Sequence, residues 1–124
     1  MLTIFRTKYM KIASLTEDLV YNEKKPAINI LLETETTKEI RIVFKKGQLM
    51  KEHKTPFPII VEIFNGAIDF GVNGIKQHLT AGKLIALEGN VPHDLTATED
   101  SIVRLSLSKK DKVERVQNVE TSLK

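Results

Sequence analysis

The dipeptide Asn73-Gly74 stands between two runs in which apolar and polar residues alternate, and no other feature narrows the chain's folding choices as much. Both residues accept positive φ, so a two-residue turn at this point joins antiparallel strands whose twist it matches. Upstream, Ile68, Phe70 and Val72 alternate with Asp69 and Gly71, and downstream Ile75 to Leu79 reads as the return strand. The same period of two recurs at Ile40, Ile42 and Phe44, interleaved with Arg41 and Val43. It returns in the run Ser101 to Ser108, where Val103, Leu105 and Leu107 share one face and Ile102, Arg104 and Ser106 the other. One face of each run belongs to a core.

Between Ala27 and Ser108 the remaining apolar runs also end at Gly, Asn or Pro. Lys45-Lys46-Gly47 closes one, Ala81-Gly82 makes a turn, and Lys83 to Leu87 stops at Glu88-Gly89-Asn90. About eight strands in this span predict an all-β, closed antiparallel barrel or jelly roll, since closure removes unpaired edges. Short flanking helices are expected. Ser14 to Tyr21 carries Thr16, Glu17 and Asp18 in what would be a first turn, where acids suit the helix dipole. Ser108 and Asp111 form a capping box ahead of Val113 and Val116. The chain thus divides into a leader and lead-in (1–26), a barrel (27–108) and a C-terminal helix or tail (109–124). Met10 opens the stretch MKIAS, which leaves Met1 and Met10 as alternative translation starts.

With 124 residues, 41% hydrophobic and 28% charged, the chain has the size of one domain with one core. It contains no cysteine, which removes disulfides, thiol nucleophiles and thiolate metal sites and suits a reducing compartment; a cytoplasmic location is expected. No apolar stretch reaches membrane-spanning length, and no apolar segment follows Arg6, Lys8 and Lys11, so neither a span nor an export signal is expected. The net charge of +3 comes from 19 basic and 16 acidic side chains that interleave, as in KEHK and KKDKVER. With no Trp and no one-signed basic block, nucleic-acid binding is not expected.

The segments Gly47 to Gly66, GQLMKEHKTPFPIIVEIFNG, and Gly82 to Leu95, GKLIALEGNVPHDL, resemble in order and spacing the two motifs of the cupin superfamily. Gly47, His53 and Gly66 fit the first motif, whereas Thr55 stands at its second histidine and Ile59 at its glutamate. Gly82 and His93 fit the second; Glu88 replaces its proline and Asn90 its glycine. The resemblance implies a cupin-type double-stranded β-helix, a small single domain whose metal motif is degenerate, and a homodimer. Outward apolar residues Ile60 and Phe64 would need the cover that a second copy gives.

Two readings of function follow. The leading one is a non-catalytic small-molecule-binding cupin with a pocket lined by His53, Thr55, Phe57, Ile59, Glu88 and His93. The alternative is a metal-dependent cupin enzyme, a dioxygenase or isomerase, holding zinc, iron, manganese or nickel through His53 and His93, with Glu88 or Glu62 completing the site. Strand parity points Glu52 and Asp94 away from the interior, because each neighbours an inward histidine. His78 reads as a surface or satisfied strand residue. Arg104 reads as an exposed strand residue or an anion-binding group for a carboxylate ligand.

Overall fold

The computed structural model describes residues 9–109. Among them run nine strands, β1 (Ala27–Glu33), β2 (Thr37–Phe44), β3 (Leu49–His53), β4 (Ile59–Asn65), β5 (Ala67–Val72), β6 (Ile75–Thr80), β7 (Leu84–Leu87), β8 (His93–Ala97) and β9 (Ser101–Ser108). They form two antiparallel sheets, one ordered β1-β2-β9-β4-β7 and the other β3-β8-β5-β6. The Asn73-Gly74 turn joins β5 to β6 as expected, with φ of 52° and 77° at the two residues. Val72 pairs with Ile75, so the loop contains only the two residues that tolerate positive φ.

Period-two patterning places the core between the sheets. Ile40, Ile42 and Phe44 of β2, Ile59, Val61 and Ile63 of β4, and Val103 of β9 meet Ile68 and Phe70 of β5 and Leu95 and Ala97 of β8. Phe44 and Phe70 are fully buried. Each such ring removed from water contributes about 2–3 kcal/mol.

The opposite face of β2 is also covered, and this accounts for one departure from expectation. Ser14 to Tyr21 forms a bend and turn rather than a helix. Ser14 Oγ accepts the amides of Thr16 and Glu17, which closes a local turn, and Asp18 then takes φ of 55°, outside helical space. Arg41, 4% exposed, captures the carbonyls this frees: Nη1 donates to Ser14 O and Glu17 O, and Nη2 to Asp18 O. Its Nε and Nη2 also donate to Asn29 Oδ1 on β1. The lead-in is pinned further by Gln48 Nε2 donating to Asn22 O and by the Lys45–Glu23 ion pair. The helix expected after Ser108 falls outside the described residues. Among those residues no helix is long and apolar enough to cross a membrane.

Candidate functional site

The two retained motif histidines meet across one strand pair. His53 ends β3 and His93 begins β8, and they are direct cross-strand partners. Their rings lie 4.4 Å apart between centroids, tilted by 60°. His93 also stacks at 5.6 Å on the buried ring of Phe70, nearly parallel. A bulge in β3 sets this register. Met50 pairs with Leu95 and His53 with His93, so three residues of β3 span two of β8. On a regular strand, residues three apart face opposite ways; the extra residue restores the phase, and both Met50 and His53 turn inward.

Each imidazole is fixed by the backbone carbonyl two residues before it. His53 Nδ1 lies 2.7 Å from Lys51 O, and His93 Nδ1 lies 2.8 Å from Val91 O. A carbonyl oxygen only accepts, so Nδ1 carries the proton on both rings, and each neutral ring keeps its lone pair on Nε2. Burial pushes the His93 imidazole below its ordinary value, and the nearby His53 acts the same way, against the Val91 carbonyl and Asp94, which favour the proton. His93, 3% exposed, is therefore a neutral acceptor at neutral pH.

The histidines line a cavity of about 20 Å³. Its wall is completed by Met50 and by aliphatic side chains including Ile42, Ile59, Val61 and Leu95. That volume accommodates about one water.

The other residues singled out in the sequence are placed elsewhere. Thr55 is half-buried in the loop between β3 and β4, where its Oγ1 donates to Phe57 O. Phe57 is half-buried in the same loop. Glu88 is exposed and borders an open outer groove of about 450 Å³ with Thr37, Pro58, Ile60, Ala86 and Ser106, while Ile59 contributes to both groove and cavity. Glu62 accepts from Arg104 Nε at 2.8 Å on the outer face of β4. Arg104 also donates to Glu39 through Nη1, so its two carboxylate partners come from the protein itself. His78 pairs with Asp69 at 2.7 Å on the exposed surface. Asp94 lies over Gly71, on the side of β8 away from the cavity.

The donor set at the pair does not fit a hard divalent ion. Such ions want carboxylate or several imidazole ligands, and no carboxylate lines the cavity. Among the described residues no group of three or more His, Cys, Asp or Glu side chains is placed to hold a metal.

The loops that carry the histidines are clasped together. Asn90 N donates to Thr55 O at 2.7 Å, and Asn90 takes φ of 64°. Beside it the Pro56 carbonyl oxygen reaches within 2.4 Å of where a Cβ on Gly89 would stand, so only glycine fits that approach. The clasp sets the segments entering β4 and β8 against each other, and with them the mouth beside the imidazoles. The sequence reading singled out neither Met50 nor the bulge that turns it inward.

No protein-family model matches the sequence, and no curated protein matches it. Solved structures do. An RmlC-like cupin from Desulfovibrio desulfuricans superposes with a TM-score of 0.75 at 20% identity, covering 81% of this chain and 97% of its own. An RmlC-like cupin with a double-stranded β-helix fold from Methanocaldococcus jannaschii gives 0.70 at 15% identity, covering 86% and 97%. KdgF from a Halomonas species gives 0.68 at 19% identity, covering 79% and 94%. The chain has the cupin double-stranded β-helix fold.

Proposed function

We propose that this is a non-catalytic binding protein that holds a small ligand through the paired imidazoles of His53 and His93. The observation that carries the reading is the pair of Nε2 acceptors, left by two Nδ1–H bonds to backbone carbonyls, on two rings that line an otherwise apolar cavity. Two acceptors in an apolar wall suit a ligand with one electron-pair-accepting or hydrogen-donating centre, because burying that centre elsewhere in the barrel would leave it unpaired. The metal-dependent enzyme alternative lacks support at this point, since Glu62 is held by Arg104 and Glu88 borders the outer groove.

Methanol, the smallest alcohol, tests acceptance at Nε2, and phenol, too large for a cavity of about 20 Å³, is the size control. The reading predicts that methanol shifts the imidazole nitrogen signals of both His53 and His93 in ¹⁵N-labelled protein. It fails if no probe moves either ring, or if the perturbed signals map to the groove beside Glu88.

A further inference from the structure

On β1, the edge strand of the five-stranded sheet, apolar side chains lie on the core side of the sheet without cover. Ile28 and Ile30 stand opposite the core residues Ile42 and Ile40 and share their face, yet each is 57% exposed. The facing sheet has four strands against five and leaves this edge open. A bulge between Ile30 and Leu32 puts one extra residue into β1, so Ile30 and Glu33, three apart, share that face. Both line an open groove of about 610 Å³ whose apolar wall includes Met10, Ile12 and Leu32, with Lys11 and Lys109 at its border. That volume falls within the usual range of small-molecule sites, roughly 300–1,000 Å³.

Positive charge gathers around Glu33. Lys11 Nζ donates to Glu33 O at 2.9 Å, and Lys109 Nζ donates to Thr34 O at 2.6 Å and to Glu33 Oε2 at 3.0 Å. Lys38 stands opposite Glu33 on β2. Lys109, Lys38 and Lys11 together hold the Glu33 carboxyl below its ordinary value. One carboxylate does not balance three ammoniums. Each ammonium has three N–H donors, so Lys11 keeps two for an incoming anion and Lys109 keeps one. We propose that this groove binds a fatty acid, with its carboxylate between Lys11 and Lys109 and its chain along Met10, Ile12 and Ile30. Charge complementarity selects the head, and a single charge at that, because the second charge of a phosphate would meet the Glu33 carboxylate. The apolar wall selects the tail, since each methylene fully buried against it strengthens binding about fourfold.

This site is separate from the histidine pair and does not rest on it. The test is calorimetric titration of the 124-residue chain with sodium decanoate below its micellar concentration, with hexanoate and decanol for comparison and circular dichroism to confirm that variants fold. One decanoate per chain is expected, with hexanoate and decanol each about tenfold weaker or more. The Lys11→Gln, Lys109→Gln double variant should bind decanoate about tenfold more weakly. Decanol binding as tightly as decanoate, or unchanged affinity in the double variant, overturns the proposal. Should that variant fail to fold, Glu33→Gln decides: loss of the competing carboxylate should tighten decanoate binding about threefold, and unchanged or weaker binding refutes the site. Decanoate binding that disappears in the His53→Ala, His93→Ala variant places the ligand in the other cavity and refutes the groove. No binding by the parent refutes it too, and if Ile30→Asp then splits a dimer in light scattering, the occupant is a second copy of the chain.

Discussion

Replacing Gly89 by alanine tests the clasp from which the two histidine-bearing loops take their spacing. The new Cβ would stand 2.4 Å from Pro56 O, 3.1 Å from Pro56 C and 3.3 Å from Phe57 Cα, all backbone atoms, whereas real Cβ contacts essentially never fall below 3.0 Å. No side chain can rotate away, so the two loops must part by about 0.6 Å. The adjoining Asn90 N to Thr55 O bond starts at 2.7 Å. The same displacement stretches it to about 3.3 Å, past the usual range for N–H···O, and forfeits about 1 kcal/mol. Overpacking adds about 1–3 kcal/mol. The sum is a loss of about 2–4 kcal/mol, or roughly 8–16 °C in melting midpoint for a domain of this size. Urea unfolding followed by circular dichroism measures it, and ring-nitrogen spectra of His53 and His93 should shift in the same variant. A loss below about 0.5 kcal/mol with unmoved ring signals would show that the loops are not clasped as described.

Three more predictions follow from contacts already given. Arg41→Ala removes the donors that hold Ser14, Glu17 and Asp18, so limited trypsin digestion should cut after Lys24 at least tenfold faster, with stability lower by about 2–4 kcal/mol; an unchanged cleavage rate refutes the latch. In metal-free protein His93 should titrate below the ordinary value of 6.5, because burial disfavours its charged form. Its contribution to stability is then complete above 6.5 and is lost as pH falls through the depressed value, and an NMR titration midpoint at or above 6.5 contradicts it. Ile60 and Phe64, 48% and 39% exposed, share the outer face of β4 with exposed Leu84 of β7, and we expect a second copy to cover them. Light scattering at micromolar concentration that returns one 14.0 kDa chain refutes this, and Phe64→Lys should weaken any dimer at least tenfold.

Local alternation was enough to read much of the barrel. The Asn73-Gly74 hairpin and the run Ser101 to Ser108 were legible because a period of two and a positive-φ dipeptide are properties of neighbouring residues. The lead-in was misread because acids at Thr16-Glu17-Asp18 favour a helix start, while the group that overrules them is Arg41, 23 or more residues away. Arg104 had the same difficulty, since its partners Glu62 and Glu39 lie 42 and 65 residues off in sequence. At the site, spacing identified His53 and His93, but it could not place Met50. One extra residue in β3 inverts every parity argument made across it.

The position of β9 at the centre of the five-stranded sheet has a consequence for how the chain comes into being. Among the described residues β9 is the last strand, yet it alone joins β2 to β4, with Thr37 paired to Ser108 and Ile59 to Leu107. During synthesis, β1-β2 and β4-β7 can form only as separate fragments, with the edges of β2 and β4 open, until β9 leaves the ribosome. Closure of the loop from Thr37 to Ser108 then becomes the slow step, as non-local pairing makes it in other β-rich domains. Any stop or frameshift before Ser101 would release a chain with two further unpaired edges, those of β2 and β4, and such edges recruit one another.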